Sequence, residues 1–479
     1  MRISLLFIFI SLLLLGACRR DPLFQGKAEL TFSSDTVFFD TVFTTIGSIT
    51  ERIKIFNPYD RTIEISSIYL ENGSASNFKL NADGTSGRVV NDLTIAPFDS
   101  MFVFIEVTVD PNGGTNPMVL EEKLIVQTEQ NAQSVQLVAW GQDAYFYPSI
   151  SFGDQNGDGL GDSWVLPIDK PIVFYGYSIV DTGAVLTIPC GARVHFHSNS
   201  GLIVGHEASL KILGCVGDPI IIQGDRLESF FDDVPGQWGE LYGGIYLTQT
   251  SVDNEVRNAI IKNGTVGITV DSNTNENPTL ILENTQILNM SFFGLLAQDS
   301  RIEAVNSVIA NCGDHAVALR YGGNYSFNHC TFANFWSENP RSKATLLLNN
   351  YFEVDGQTYV RDLTARFDNT IIYGALDEEL ALDENETEVF DYFFDHCVIK
   401  SDTNELNDPI HFNSIVLNPR STNVDGEVFD ALFENVSKGY QLNQYSAAIN
   451  NGFPTDQSTD IVGNGRVGVP DIGAYEYVD

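Results

Sequence analysis

Positive charge is what this chain has least of. Of 479 residues only 26 are Lys or Arg, against 63 Asp or Glu, leaving a formal net charge of -37. Such a surface repels nucleic acid and anionic lipid head groups and offers no basic groove for tracking phosphates, so nucleic acid is excluded as a partner. Long apolar runs are also missing. The only one, Ile3 to Leu15, is too short to span a bilayer. Nor is there a nucleophile elbow, an HExxH pair or a phosphate-binding glycine loop, which removes the commonest hydrolase, metalloprotease and nucleotide chemistries. Cysteine is sparse, with 6 in all. The length suffices for two or three domains with ample apolar burial.

The N-terminus reads MRISLLFIFISLLLLGAC: a basic start, the short apolar run, then small residues. That is the shape of a secretory signal. Its end, LLGAC, resembles a bacterial lipobox, and the resemblance implies cleavage before Cys18 and diacylglycerol on its sulfur. Residues 1–17 are then a lipoprotein signal peptide and 18–28 a tether, with the rest aqueous beside a membrane. Arg19 after Cys18 is not the Asp that retains lipoproteins at the inner membrane in enterobacteria, which points to the outer membrane or cell surface. The alternative is an ordinary signal with an incidental cysteine.

Residues 29–145 break into strands of five to eight residues, among them TVFFDTV, ERIKIFN, TIEISSIYL, MFVFIEVTV and SVQLVAWG, punctuated by Asn57-Pro58, Asn72-Gly73 and Asp83-Gly84. Short strands with regular turn signals predict a β-sandwich. The order of pieces resembles the hydin-like branch of immunoglobulin-type domains, which implies a spacer or interaction module without catalysis.

Residues 146–170 read as an Asp/Gly-rich linker holding DQNGDGLGDSW. Asp154, Asn156, Asp158 and Asp162 are spaced like positions 1, 3, 5 and 9 of an EF-hand-type loop, and Gly159 supplies the turn. Calcium is therefore a candidate ligand. Val165 stands where the bidentate carboxylate belongs, and a plain acidic turn is the competing reading.

From Val256 to Ile399 one pattern recurs: VRNAII, LENTQI, AVNSVI, FNHCTF, FDNTII and FDHCVI. Its polar positions, Asn258, Asn284, Asn306, His329, Asn369 and His396, are 26, 22, 23, 40 and 27 residues apart. A second polar position follows at Asn263, Asn289, Asn311 and Asn334. Repeats of twenty-odd residues that join strand formers to fixed turn residues predict a solenoid. Rungs about 4.8 Å apart would stack each Asn over the next as an amide ladder. Cys190 and Cys215 are one coil apart and could pair as a disulfide, worth about 3–4 kcal/mol in the loop-entropy model. Cys330 and Cys397, two rungs apart, should not. LTIPCGARVHF and SLKILGCVGDPIII resemble the opening coils of right-handed parallel β-helix proteins of the pectin-lyase-like superfamily. The resemblance implies an all-β chain with a β-helix over 171–415.

The end, YSAAINNGFPTDQSTDIVGNGRVGVPDIGAYEY, resembles a signature that follows β-helix coils in many secreted and anchored bacterial proteins. Here Ser446, Gly452, Asp460, Arg466, Asp471 and Glu476 occupy its places. It implies that 416–479 caps the last open rung, with Arg466 paired to Asp471 or Glu476.

For function, the acidic aromatic loop 225–244 is the candidate binding surface. Phe230, Phe231, Trp238 and Tyr242 could stack on sugars while Asp232 and Asp233 accept hydroxyl hydrogen bonds. The competing reading folds these aromatics back onto the helix. DVPGQWG in this loop resembles a segment of lipobox-bearing β-helix proteins of Bacteroidetes-type bacteria. His195 and His197 share a strand face and could hold a metal with a third ligand, or simply face outward. The acidic stretch 377–392 reads as a solvated excursion. The expectation is a non-enzymatic envelope lipoprotein that binds polysaccharide or an envelope protein. The alternative is a carbohydrate-active enzyme, lyase or hydrolase, although the Asn-Thr-Asp, Asp-Asp and Gly-His-Gly run of the β-helix hydrolases is absent and no catalytic residue can be named.

Overall fold

The computed structural model describes residues 22–111, 118–240, 243–272, 277–402, 406, 408–419, 421–422, 428–429, 432–436 and 439–478. Cys18 and Tyr242 lie outside them. The described chain is built of strands, and no helix is long and apolar enough to cross a membrane. It divides into two compact units, Met1–Asp143 with Leu227–Ser229, and Ala144–Arg226 with Phe230–Asp479.

In the first unit two five-stranded sheets share one core. Strand alternation explains the burial: Ile53 and Ile55 point inward while Arg52 and Lys54 face out, and Val103, Ile105 and Val107 repeat this on the neighbouring strand. Between its described strands all pairings are antiparallel except Thr36–Phe43 with Ala132–Gln142.

The second unit is a parallel β-helix whose described strands form one sheet of eleven and one of seventeen. A typical coil runs Asn254–Arg257, bends at Asn258, continues as Ala259–Lys262, bends at Asn263, and returns as Ile268–Val270. The recurring polar residue is the bend itself. Asn258, Asn284, Asn306, His329, Asn369 and His396 all have φ between +46° and +50°, and Ser414 repeats the bend one rung later. Left-handed backbone costs most L-residues about 1–2 kcal/mol, and Asn tolerates it because its short amide bonds locally. The expected ladder forms at the second bend, where the Asn289 amide donates to Asn263 (2.7 Å) and that of Asn311 to Asn289 (3.0 Å), and at the first bend Asn369 Nδ2 meets His329 Nε2 at 3.0 Å.

Inside the coils, identical positions stack. Phe327, Phe367, Phe394 and Phe412 follow one another at 5.3, 4.5 and 5.3 Å with nearly parallel rings. Cys190 and Cys215 are bonded, while Cys312, Cys330 and Cys397 are free and buried.

The structure revises three expectations. Residues 146–170 are no linker, since Tyr145–Pro148, Ser151–Phe152 and Ser163–Val165 already pair in parallel with Ile172–Tyr175, Tyr177–Val180 and Val185–Pro189 as the first coil. The stretch 377–392 is not wholly solvated: Leu380–Asp383 is a rung strand and Glu379 is fully buried. The described C-terminal residues from 432 onward are not confined to the last rung. Residues 432–436 and 439–478 lie along the side of the coils as a strap over the outer face of the eleven-stranded sheet, where Ile461, Ile472 and Ala474 pack on Val308, Ala333 and Ile371.

The repeat asparagines fasten that strap. Asn369 exchanges two hydrogen bonds with the Phe453 backbone, both 2.9 Å, and Asn306 donates to Thr459 O at 2.9 Å. Arg466, buried, binds Glu476 (2.8 Å), Gly473 O (2.9 Å) and Asn306 Oδ1 (3.1 Å). Asp471 accepts from the backbones of Asn450 and Tyr477, both at 2.7 Å. Gly473, at φ +102°, allows close approach, because a Cβ there would meet Ile371 Cδ1 at 2.7 Å.

Candidate functional site

While the strap covers one face, another stays open. It is the outer surface of the strands that follow the Asn263-type turns: Leu295–Val305, Val317–Asn328, Leu346–Asn349 and Leu380–Asp383. They pair in register, Gln298 beside Arg320 and Asn349 beside Asp383. Alternation sends Val317, Leu319, Leu346 and Leu348 into the core and leaves the polar partners outside.

Here a groove of about 410 Å³ runs across the rungs. One wall is turn residues Phe293, Asp314, His315 and Lys343; the other is Tyr351, Phe352 and Glu353 of the hairpin Tyr351–Val354/Gln357–Val360. Phe352 packs edge-on against Tyr321 at 4.4 Å and stacks on Tyr359 at 5.1 Å, with the Arg361 guanidinium 5.1 Å from Tyr321. The wall thus presents aromatic rings already ordered before a ligand arrives.

Charge in the groove is of both signs. Asp383 accepts from Tyr351 Oη (2.9 Å) and Asn349 Nδ2 (3.0 Å), which fixes its carboxylate. Arg320 and Lys343 are exposed, and neither side chain has a hydrogen-bond or ion-pair partner among the described residues. His315 is buried, with Nδ1 2.6 Å from Ala344 O and Nε2 3.5 Å from Asp314 Oδ1. Burial holds its pKa below the ordinary histidine value, against the pull of Asp314. A neutral ring whose Nδ1–H donates to Ala344 carries its Nε2 lone pair on the side of Asp314.

The floor is braced from below. Arg341 and Glu379, both buried, pair through Nη2–Oε1 (2.7 Å) and Nη1–Oε2 (2.9 Å). Glu379 also accepts from Thr345 N (3.0 Å), Thr345 Oγ1 (2.7 Å) and Leu376 N (2.7 Å). This clamp holds the segment that carries Lys343 and the carbonyl that orients His315.

The residues expected to bind fall elsewhere. Trp238 is not a surface platform: it is wholly buried, stacked on Phe196 at 4.7 Å, with its indole N–H on Lys262 O. Phe230 is 74% exposed and meets Phe231 edge-on at 5.1 Å. Asp232 and Asp233 keep exposed side chains, while their carbonyls accept from Asn263 and Asn289. None of these lines the groove. In the acidic loop, Asp154 takes the Gly157 and Gly159 amides (both 2.7 Å), and Asp162 takes Gln155 N and Asn156 Nδ2. Those backbone bonds lower the Asp154 pKa. Asp158 caps Leu160, and Val165 faces solvent.

His195 and His197 part company. Burial lowers the pKa of His195 to about 4, with Nδ1 on Gly224 O (3.0 Å). His197 stacks on Tyr175 and bonds Asp225 at 2.7 Å. Among the described residues no three His, Cys, Asp or Glu side chains are grouped to hold a metal ion.

Sequence reasoning missed the groove because its lining comes from four separate stretches, at 293, 314–320, 343–353 and 383.

Comparison with known proteins agrees with the coils. The family model described as right handed beta helix region matches residues 243–377. No curated protein matches the chain. Among solved structures, a family 123 glycoside hydrolase from Clostridium perfringens is similar at 9% identity and a TM-score of 0.18, covering 25% of this chain. The likeness spans 30% of that enzyme, and at this level it carries no argument about function.

Proposed function

We propose that this protein is a lipid-anchored component of the bacterial cell envelope, at the outer membrane or cell surface, that binds glycan in the groove between His315 and the 351–360 hairpin. An immunoglobulin-type domain would follow the anchor in the chain and precede the β-helix, and no catalysis is assigned. The observation that supports it best is the groove's make-up. Ordered aromatic rings, a fixed Asp383 carboxylate and two unengaged cations stand on an open face of rigid strands, the surface sugar hydroxyls and ring faces require.

A second reading, a glycan-cleaving enzyme, is favoured by one feature: Asp314, Glu353 and Asp383 line the same groove beside a neutral histidine. The experiment is to incubate the soluble fragment from Arg19 onward with a polysaccharide panel, with and without calcium. Retention without product, lost on Phe352→Ala, supports the binding role. New reducing ends or unsaturated products would replace it with the enzyme.

A further inference from the structure

We infer that the tip of the first unit formed by Leu23 and Phe98 is a membrane-contact surface that seats this unit against lipid head groups. The inference rests on the lipid-anchor reading of Cys18 and adds a second, apolar contact to it.

The tip is a built structure. The strand-like start of the described chain is stapled to the 57–62 turn: Leu23 bridges Thr62, Phe24 N donates to Thr62 O (2.9 Å), and Thr62 N donates to Pro22 O (3.1 Å). Phe24 packs on Tyr59 with ring centroids 4.1 Å apart. That turn is in turn locked to the 95–99 turn by Asn57, a buried side chain whose Nδ2 reaches Arg61 O (2.7 Å), Ala96 O (2.9 Å) and Ile95 O (3.0 Å). Phe98 N closes the set by donating to Tyr59 O (3.0 Å).

On this rigid platform two large apolar side chains face solvent. Leu23 is 46% exposed and Phe98 is 73% exposed. Phe98 has φ +54°, a conformation unfavourable for a bulky residue, and its ring joins no aromatic neighbour among the described residues. Folding of this unit gains little from the ring.

The length of chain before the tip names the occupant. Four residue steps separate Cys18 from Pro22, and at about 3.3–3.6 Å per residue they reach at most about 14 Å. Diacylglycerol on Cys18 lies in the bilayer, whose polar layer is itself about 5–7 Å thick on each side. A tether at about half that reach or less therefore sets Leu23, and Phe98 beside it, against that layer. Exposed Asp60 and Asp99 flank them beside Arg61, so the contact is apolar and gains nothing from anionic lipid.

The acylated full-length protein, reconstituted in phosphatidylcholine vesicles carrying a nitroxide lipid, tests this. The free cysteines are buried, so a fluorophore can be placed selectively through Asp60→Cys at the tip or Asp110→Cys beyond the far end of strand Ser100–Val107. Quenching at 60 should exceed that at 110 about fivefold, and fall at least threefold when Leu23→Ser and Phe98→Ser are added. Equal quenching at both positions, or no change with the serine pair, overturns the tip while leaving the anchor intact. Absence of lipid from Cys18 by mass spectrometry overturns both.

Discussion

Two long faces of the same β-helix have opposite fates. Over the eleven-stranded sheet, outward residues such as Val308, Ala310, Ala333, Ile371 and Val398 are apolar and the strap buries them. Over the strands around Arg320, Asn349 and Asp383 the outward residues are polar, and the face remains a groove. Both are laid out by the same rungs at the same spacing, so backbone geometry does not decide between them. One alternating position per rung does, by offering either apolar area that must be covered or groups that keep their water.

That contrast can be broken at the strap. Arg466→Met leaves Glu476 and Asp471 buried without their cation and should cost about 3–5 kcal/mol in urea denaturation, with protease cleavage between residues 450 and 478. Full stability would mean that the strap holds by apolar contact alone. Asn369→Ala loses both the left-handed bend and two strap bonds, for about 2–4 kcal/mol, whereas Asn284→Ala loses the bend, about 1–2 kcal/mol. Equal losses would show that Asn369 contributes nothing beyond its bend.

Acid probes the same seam. His329 is buried beneath the strap with Nε2 on Asn369, and burial lowers its pKa from 6.5 to about 3. Between those values the unfolded chain takes up a proton that the folded chain refuses. Stability should therefore drop as pH falls from about 6.5 toward about 3, by at most about 1.4 kcal/mol per pH unit, and be untouched above. Asp471 and Glu476, raised by burial, act in the opposite sense. The difference between wild type and His329→Asn isolates the histidine, and an unchanged pH profile in that variant would remove it from the account. On the open face, Arg320→Ala should leave stability within about 0.5 kcal/mol, yet weaken glycan retention about five- to tenfold in affinity electrophoresis.

Local patterns in the sequence revealed the coils, since a bend residue and an interior residue recur at fixed offsets whatever lies between them. The position of Asn258 or Phe327 is set within one rung. What the pattern leaves out is set between rungs. Trp238 reads as a loop aromatic because nothing nearby shows the Phe196 ring it stacks on, and Glu379 sits in an acidic run although Arg341, 38 residues earlier, buries it. The first coil was obscured because 153–162 interrupts strands of two to four residues. The strap's site was hidden since Ala310 and Ala333 are small enough to read as neutral positions.

In a solenoid each rung touches only its neighbours, so coils can in principle form and fray one at a time. The strap changes the order of events. Thr459, Ala474 and Phe453 bond rungs that were completed 153, 143 and 84 residues earlier in the chain. A chain made from its N-terminus must hold those rungs with Ile371 and Val398 uncovered until its last forty residues arrive, and only then can the coils from Asn306 to Asn369 melt or persist as one.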